Sequence, residues 1–192
     1  MNNAMNEMIK VMLVEDHAGY RETVTTALEH APDMELEGSY GTAEVALRSL
    51  QKLSGDKVPD IILLDLNLPG MQGLEVIHWI LDYVPGVQII VLTQSDKAEE
   101  VRRALDEGAS GYLLKSATLN QILEGIRAVI QGGAALTPEI ARYLMSELRR
   151  KQGGGLLDKP LSDREKQVLE LLGEGLVQKE IAERLNIAVT TV

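Results

Sequence analysis

Between residue 9 and about residue 132, short apolar runs alternate with stretches whose apolar residues recur at helical spacing. A short apolar run buried on both faces is the form of a parallel strand, and a helix between successive strands is the crossover such a sheet requires. The alternation therefore confines this part of the chain to an α/β domain with a doubly wound, five-stranded parallel sheet. Strands are expected at Ile9 to Val14, Glu35 to Ser39, Ile61 to Leu64, Gln88 to Leu92 and Gly111 to Leu114. The helices between and after them are expected at Tyr20 to His30, Ala43 to Leu53, Leu74 to Tyr83, Ala98 to Glu107 and Leu119 to Gln131. Breakers such as Pro32-Asp33, Pro69-Gly70, Pro85-Gly86 and Gly132-Gly133 fall between these elements. The usual strand order for five-strand folds of this kind is 2-1-3-4-5.

Four of the strands end in polar residues: the acidic pair Glu15-Asp16, then Asp65, Thr93 and Lys115. The carboxyl edge of such a sheet is where doubly wound folds keep their ligands, so these residues are expected to form one site. Clustered carboxylates repel one another unless a cation intervenes. Mg²⁺ suits them because it accepts a few carboxylate or carbonyl oxygens and keeps several waters. The chain has no cysteine, which removes thiolate metal sites and a cysteine nucleophile. Lys115 supplies a point charge suited to a phosphoryl oxygen, and Thr93 supplies one hydroxyl donor. Together these parts describe Asp65 attacking phosphorus to give an aspartyl phosphate, with metal and lysine offsetting charge during transfer. A phosphohydrolase working through the same intermediate would need a second acid, typically at Asp-x-Asp spacing; position 67 is Asn.

The pattern changes after Gly132-Gly133. Thr137-Pro138 reads as an N-cap followed by proline at the first helical position, opening a helix with Ile140, Leu144 and Leu148 on one face. Gly153-Gly154-Gly155 then interrupts regular structure. Ser162-Asp163-Arg164-Glu165 is a capping box for a helix whose Val168, Leu169, Leu171 and Leu172 face inward. A helix from Gln178 to Leu185, a turn at Asn186-Ile187 and a further helix start at Val189 make this segment a helix-turn-helix. Its expected core is Leu161, Val168, Leu172, Ile181, Ala182, Leu185, Ile187 and Val192, leaving Lys179, Thr190 and Thr191 as candidate DNA phosphate contacts. With a formal charge of −10 the chain does not bind nucleic acid merely by being basic, so any such contact is local or regulated. No apolar run approaches the roughly 20 residues that span a bilayer, and Met1 to Lys10 lacks the form of a signal peptide, so a cytoplasmic protein is expected.

These residues carry a resemblance to a known family. Residues 11 to 132 resemble the flavodoxin-like receiver domain of bacterial two-component response regulators. The acidic pair, Asp65 followed by Leu66-Asn67-Leu68-Pro69-Gly70-Met71, Thr93, and Lys115 with Tyr112 three residues before it all stand in the receiver pattern. Residues 161 to 192 resemble the helix-turn-helix output domain of the LuxR/FixJ class through Gly175, Lys179-Glu180-Ile181-Ala182, Leu185-Asn186-Ile187 and Thr191-Val192.

The resemblance implies a receiver at 9–132, a linker with a helix at 133–160 and an output domain at 161–192. It implies that Asp65 is phosphorylated by a sensor histidine kinase, with Mg²⁺ held by the acidic pair of Glu15 and Asp16, by Asp65 and by the backbone carbonyl of Asn67. Thr93 and Tyr112 would be the switch residues. Phosphorylation would drive homodimerisation and promoter binding, and the protein would turn over no substrate. Three departures stand out: a Glu-Asp rather than Asp-Asp pair, Gln94 where a small residue is usual, and Ala188 at a turn position often held by serine. Gln94 is expected to narrow access to Asp65. Only Val189 to Val192 represents the recognition helix, about one turn, when reading base edges needs several. The output domain is therefore expected to be incomplete, the alternative being a receiver that acts through protein contacts alone.

Overall fold

The computed structural model describes residues 8–53, 55–71, 73–150 and 162–187. One parallel sheet runs in the order β2-β1-β3-β4-β5-β6, built from β1 (Ile9–Val14), β2 (Met34–Tyr40), β3 (Ile61–Leu64), β4 (Gln88–Thr93), β5 (Gly111–Leu114) and β6 (Ala135–Leu136). Its crossovers are α1 (Ala18–His30), α2 (Ala43–Leu50), α3 (Gly73–Tyr83) and α4 (Ala98–Asp106), with α5 (Leu119–Ile130) between β5 and β6. The five expected strands are present in the expected order. Residue alternation divides each strand between two cores. Met12, Val14, Ile62, Leu64, Ile89, Val91 and Tyr112 face α2, α3 and α4. Val11, Leu13, Ile61, Leu63, Ile90, Leu92 and Leu113 face α1 and α5. Each fully buried leucine, isoleucine or valine contributes about 1.5–3 kcal/mol, which makes this double core the main source of stability.

The sixth strand corrects the five-strand expectation. Its two residues are too few to show a period, and what places them is tertiary: Gly111 pairs with Ala135 and Tyr112 with Leu136. A Cβ on Gly111 would lie 2.8 Å from both the Cβ and the carbonyl oxygen of Ala135, so the approach of β6 depends on glycine there.

From β6 the chain enters α6 (Pro138–Arg150), which begins where expected. Thr137 does not cap it with its side chain. Its carbonyl accepts from the Ala141 amide at 2.9 Å, while its buried hydroxyl has no hydrogen-bond partner among the described residues. Ile140 is buried in the core on the α2–α4 side and Leu144 packs against that core; the side chain of Leu148 lies outside the described residues. The remaining helices are α7 (Asp163–Gly173) and α8 (Gln178–Leu185). The capping box at α7 forms, with Ser162 Oγ accepting from the Glu165 amide and Glu165 Oε2 accepting from the Ser162 amide at 2.6 Å. Helix α8 closes on Asn186 in the left-handed region (φ 51°), and Leu171, Ile181 and Ala182 form the core between the two helices, with Val168, Leu172, Leu185 and Ile187 against it. Arg142 of α6 donates to the carbonyl of Gly173 at 3.0 Å, tying α7 to α6. The Gly153-Gly154-Gly155 interruption, Leu161, and Ala188 to Val192 lie outside the described residues. Among the described residues no helix is long and apolar enough to cross a membrane.

Candidate functional site

The backbone of β1 ends by hydrogen-bonding across the sheet: the Glu15 amide donates to Tyr40 of β2, and the Asp65 amide donates to Val14 of β1, both at 2.9 Å. The Lys115 amide donates to Thr93 at 2.8 Å. These ladder bonds bring the four strand endings to one edge, as the sequence pattern requires. Glu15, Asp65 and Thr93 are buried, whereas Asp16 is exposed. A carboxylate oxygen from each of Glu15, Asp16 and Asp65 lies within 4.8 Å of the others.

Lys115 sits inside this cluster. Its ammonium donates to Asp65 Oδ2 at 2.7 Å and spans the Glu15 carboxylate, 2.8 Å from Oε1 and 2.6 Å from Oε2. Burial disfavours the ammonium's charge, but the bonds to Asp65 and Glu15 outweigh it and hold the lysine above its ordinary value. Glu15 goes the same way for a different reason: burial pushes its carboxyl up more than Lys115 and the His17 amide pull it down. Three carboxylates around one ammonium leave a surplus of negative charge in a mostly buried pocket, and that is the setting in which a hard divalent cation is favoured.

Asn67 links the acid to the hydroxyl. Its amide N–H donates to Asp65 Oδ1 at 3.0 Å, and its side-chain Nδ2 donates to Thr93 Oγ1 at 3.1 Å. Thr93 thus accepts here, where the sequence reading gave it the role of donor to a bound oxygen. Tyr112 is fully buried, and its hydroxyl donates to the Ser95 carbonyl at 2.8 Å. Burial pushes that phenol well above its ordinary value, so it stays a neutral donor. Gln94 is exposed, directly beyond Thr93.

Several residues that shape the site carry no motif-like signal. Arg21 Nη1 donates to the carbonyls of Glu15 (2.6 Å) and Asp16 (3.1 Å), fixing the backbone of the acidic pair. His17 caps α1, its Nδ1 accepting from the Tyr20 amide at 3.0 Å. Gly73, at the start of α3, packs so closely on the loop carrying Asp65 that a Cβ would come within 2.4 Å of Leu66 Cα. Glu44 Oε1 accepts from the Met71 amide at 3.1 Å and ties the same loop to α2. A glycine after a loop and an acid on a helix are too common in sequences to mark such contacts.

Of the candidate nucleic-acid contacts, Lys179 is exposed in the first turn of α8 and lines a cavity of about 430 Å³ shared with Gln121 and Glu124 of α5. Thr190 and Thr191 lie outside the described residues.

Residues 11–127 match the response regulator receiver domain, and residues 159–192 match the luxR family of bacterial regulatory proteins. The chain is 35% identical over 185 residues to the transcriptional regulatory protein LiaR of Bacillus subtilis, covering 96% of this chain and 86% of LiaR. It is 37% identical over 186 residues to the nitrate/nitrite response regulator protein NarP of Escherichia coli, covering 95% of this chain and 83% of NarP. Among solved structures, the RcsB response regulator of Salmonella typhimurium superposes with a TM-score of 0.66 at 26% identity, over 96% of this chain and 86% of that one. An RcsB–DNA complex superposes equally well. The receiver match covers the sheet that carries the acidic edge and the luxR match covers α7 and α8, so the chain belongs to the response regulators that join a receiver domain to a luxR-family segment.

Proposed function

We propose that this protein is a phosphorylation-controlled transcription regulator in which residues 9–132 receive the signal, 133–160 link, and 161–192 deliver it to DNA. The observation that carries the reading is the Lys115 ammonium 2.7 Å from Asp65 Oδ2 in a buried acidic pocket. An oxygen of Asp65 attacks the phosphorus of a phosphohistidine on a sensor histidine kinase. As the P–O bond forms the P–N bond breaks, its electron pair leaving with the imidazole nitrogen, which takes up a proton. Lys115 offsets charge on the phosphoryl oxygens, and the Thr93 hydroxyl turns toward one of them. Glu15, Asp16, Asp65 and the Asn67 backbone carbonyl would hold Mg²⁺, which when bound neutralises part of the charge that builds up in transfer. Exposed Asp16 gives the cation its way in.

Thr93 and Tyr112 are the proposed switch residues, with Tyr112 already inward. When phosphorylated, the protein pairs with a second copy and docks on a promoter through Lys179, Thr190 and Thr191. The names of its relatives, transcriptional regulatory protein and response regulator, and the DNA-bound form of RcsB support this assignment. We assign it to the cytoplasm and give it no turnover substrate.

The test is incubation with Mg²⁺ and acetyl phosphate or beryllofluoride, followed by intact mass and oligomeric state. One phosphoryl adduct is expected, absent in Asp65→Asn. An adduct that survives in Asp65→Asn, or none in the unaltered protein, overturns the proposal.

A further inference from the structure

Tyr20 has no place in the chemistry described so far, yet its ring lies under the Lys115 ammonium, 5.2 Å from Nζ to the ring centroid. That is inside the roughly 6 Å at which a cation is attracted by the negative face of an aromatic ring. The attraction is worth most where water is kept away, and the Lys115 side chain is only 11% exposed. Among the described residues three partners therefore hold this ammonium: the Asp65 carboxylate, the Glu15 carboxylate and the Tyr20 ring.

The three differ in one respect. On the proposed reading both carboxylates have other duties, since Asp65 becomes esterified to phosphorus and Glu15 faces the metal. Only the ring remains as an uncommitted partner when Lys115 turns to a phosphoryl oxygen. We infer that Tyr20 is a positioning residue for phosphoryl transfer, its ring face holding the Lys115 ammonium beside Asp65 while the carboxylates are engaged elsewhere.

Two further observations fit the ring rather than the hydroxyl. The Tyr20 backbone is pinned by the His17 cap, which fixes where the side chain leaves α1. The Tyr20 hydroxyl is buried without a hydrogen-bond partner among the described residues. Burial, with the Glu15 and Asp65 charges, pushes it up to about 12, so it stays neutral and adds no fourth anion to the pocket. A hydroxyl so placed costs stability and offers the lysine nothing; the aromatic face is what Lys115 meets.

The inference rests on the proposed phosphoryl chemistry, and the experiment separates the two. The labelling rate with acetyl phosphate at fixed Mg²⁺ is measured for the full chain, Tyr20→Phe and Tyr20→Leu. It is also measured with phenylalanine analogues carrying one, two and three ring fluorines at position 20, which drain the ring face without changing its shape. Tyr20→Phe is expected within about twofold of the unaltered protein and Tyr20→Leu about tenfold slower, with the rate falling stepwise through the fluorinated series. In parallel, the Lys115 ε-methylene protons should show an upfield ring-current displacement that persists in Tyr20→Phe and disappears in Tyr20→Leu. Labelling of Tyr20→Leu at the unaltered rate overturns this inference alone. Tyr20→Phe as slow as Tyr20→Leu overturns it too, by moving the effect to the hydroxyl. Absence of any label on the unaltered protein overturns the proposed function and this inference with it.

Discussion

Replacing Lys115 by Met removes the ammonium that pairs with the buried Glu15 and Asp65 carboxylates while keeping the length and apolar stem of the side chain. Glu15 is 1% exposed and Asp65 2%, so neither can turn to water for compensation. Breaking a buried pair by deleting one partner costs about 3–5 kcal/mol when the charge left behind has no relief. Here relief exists, because a carboxyl can take up a proton, and that sets a ceiling on the loss. For Glu15, with an ordinary value of 4.5, protonation at pH 7.5 costs about 4 kcal/mol, and at pH 5.0 only about 0.8 kcal/mol. The sign follows from the direction already seen in the unaltered protein, where burial raises Glu15. A carboxyl raised in the folded state destabilises above its unfolded value and ceases to do so as pH falls toward it. The stability loss of Lys115→Met relative to the unaltered chain should therefore approach 4 kcal/mol at pH 7.5 and shrink to under about 1 kcal/mol at pH 5.0. Urea unfolding followed by circular dichroism, with a chelator present to exclude divalent ions, measures both. An equal loss at the two pH values would refute the electrostatic account and assign the effect to packing.

Elsewhere, Arg127 of α5 grips Asp33 with two bonds, Nε to Oδ2 at 2.6 Å and Nη2 to Oδ1 at 2.8 Å. With both side chains about a quarter exposed, Arg127→Ala should cost about 1 kcal/mol at pH 7. The Arg127 bond holds Asp33 below its ordinary value, so this contribution is present above the unfolded value and the gap between variant and parent should close as pH falls through the folded one. Gly111→Val should dislodge β6, since even a Cβ there meets the Ala135 backbone oxygen at 2.8 Å; a loss of about 1–3 kcal/mol and faster hydrogen exchange of the Thr137 amide are expected. Unchanged exchange at Thr137 would mean that β6 does not depend on this contact. Gln94→Ala should speed labelling by acetyl phosphate, because the exposed side chain stands directly beyond Thr93; an unaltered rate removes Gln94 as an access barrier.

What could be read from the sequence was what repeats or what is local. The buried strands show as continuous apolar runs, so β1, β3 and β5 were expected with the bounds they have, and the Ser162–Glu165 capping box was legible because both partners sit within one helical turn. The acidic edge was legible because strand ends and the sheet's direction together place its residues. What depends on two distant segments meeting was not. Strand β6 exists because Gly111 leaves room for Ala135, and the Tyr20 ring finds Lys115 across 95 positions of chain. Neither leaves a period. The Glu15–Lys115 ion pair belongs to the same class: both residues were expected in the site, but assigned to opposite partners, metal and phosphoryl group, rather than to each other.

That pairing bears on how a signal could leave Asp65. From Asp65 a bonded line runs through Asn67 to Thr93, from Ser95 to Tyr112, and from the Tyr112 carbonyl to the Thr137 amide at 3.4 Å, where α6 begins. A line of contacts transmits only if one link has two arrangements. Thr93 is that link. Among the described residues its hydroxyl accepts from Asn67 Nδ2 (3.1 Å) and the Ser95 amide (3.4 Å) and donates to neither, so its proton is uncommitted. Two neutral bonds of that length are worth about 1 kcal/mol each or less, whereas a phosphoryl group brings roughly two negative charges and three acceptor oxygens. On the proposed reading, the hydroxyl's gain from turning to that anion exceeds what it gives up, and the Ser95 amide it releases lies in the same residue whose carbonyl holds Tyr112. On that reading, the loop from Thr93 to Ser95 is the place where a charge at Asp65 becomes a change in packing at β5, the strand that pairs with β6.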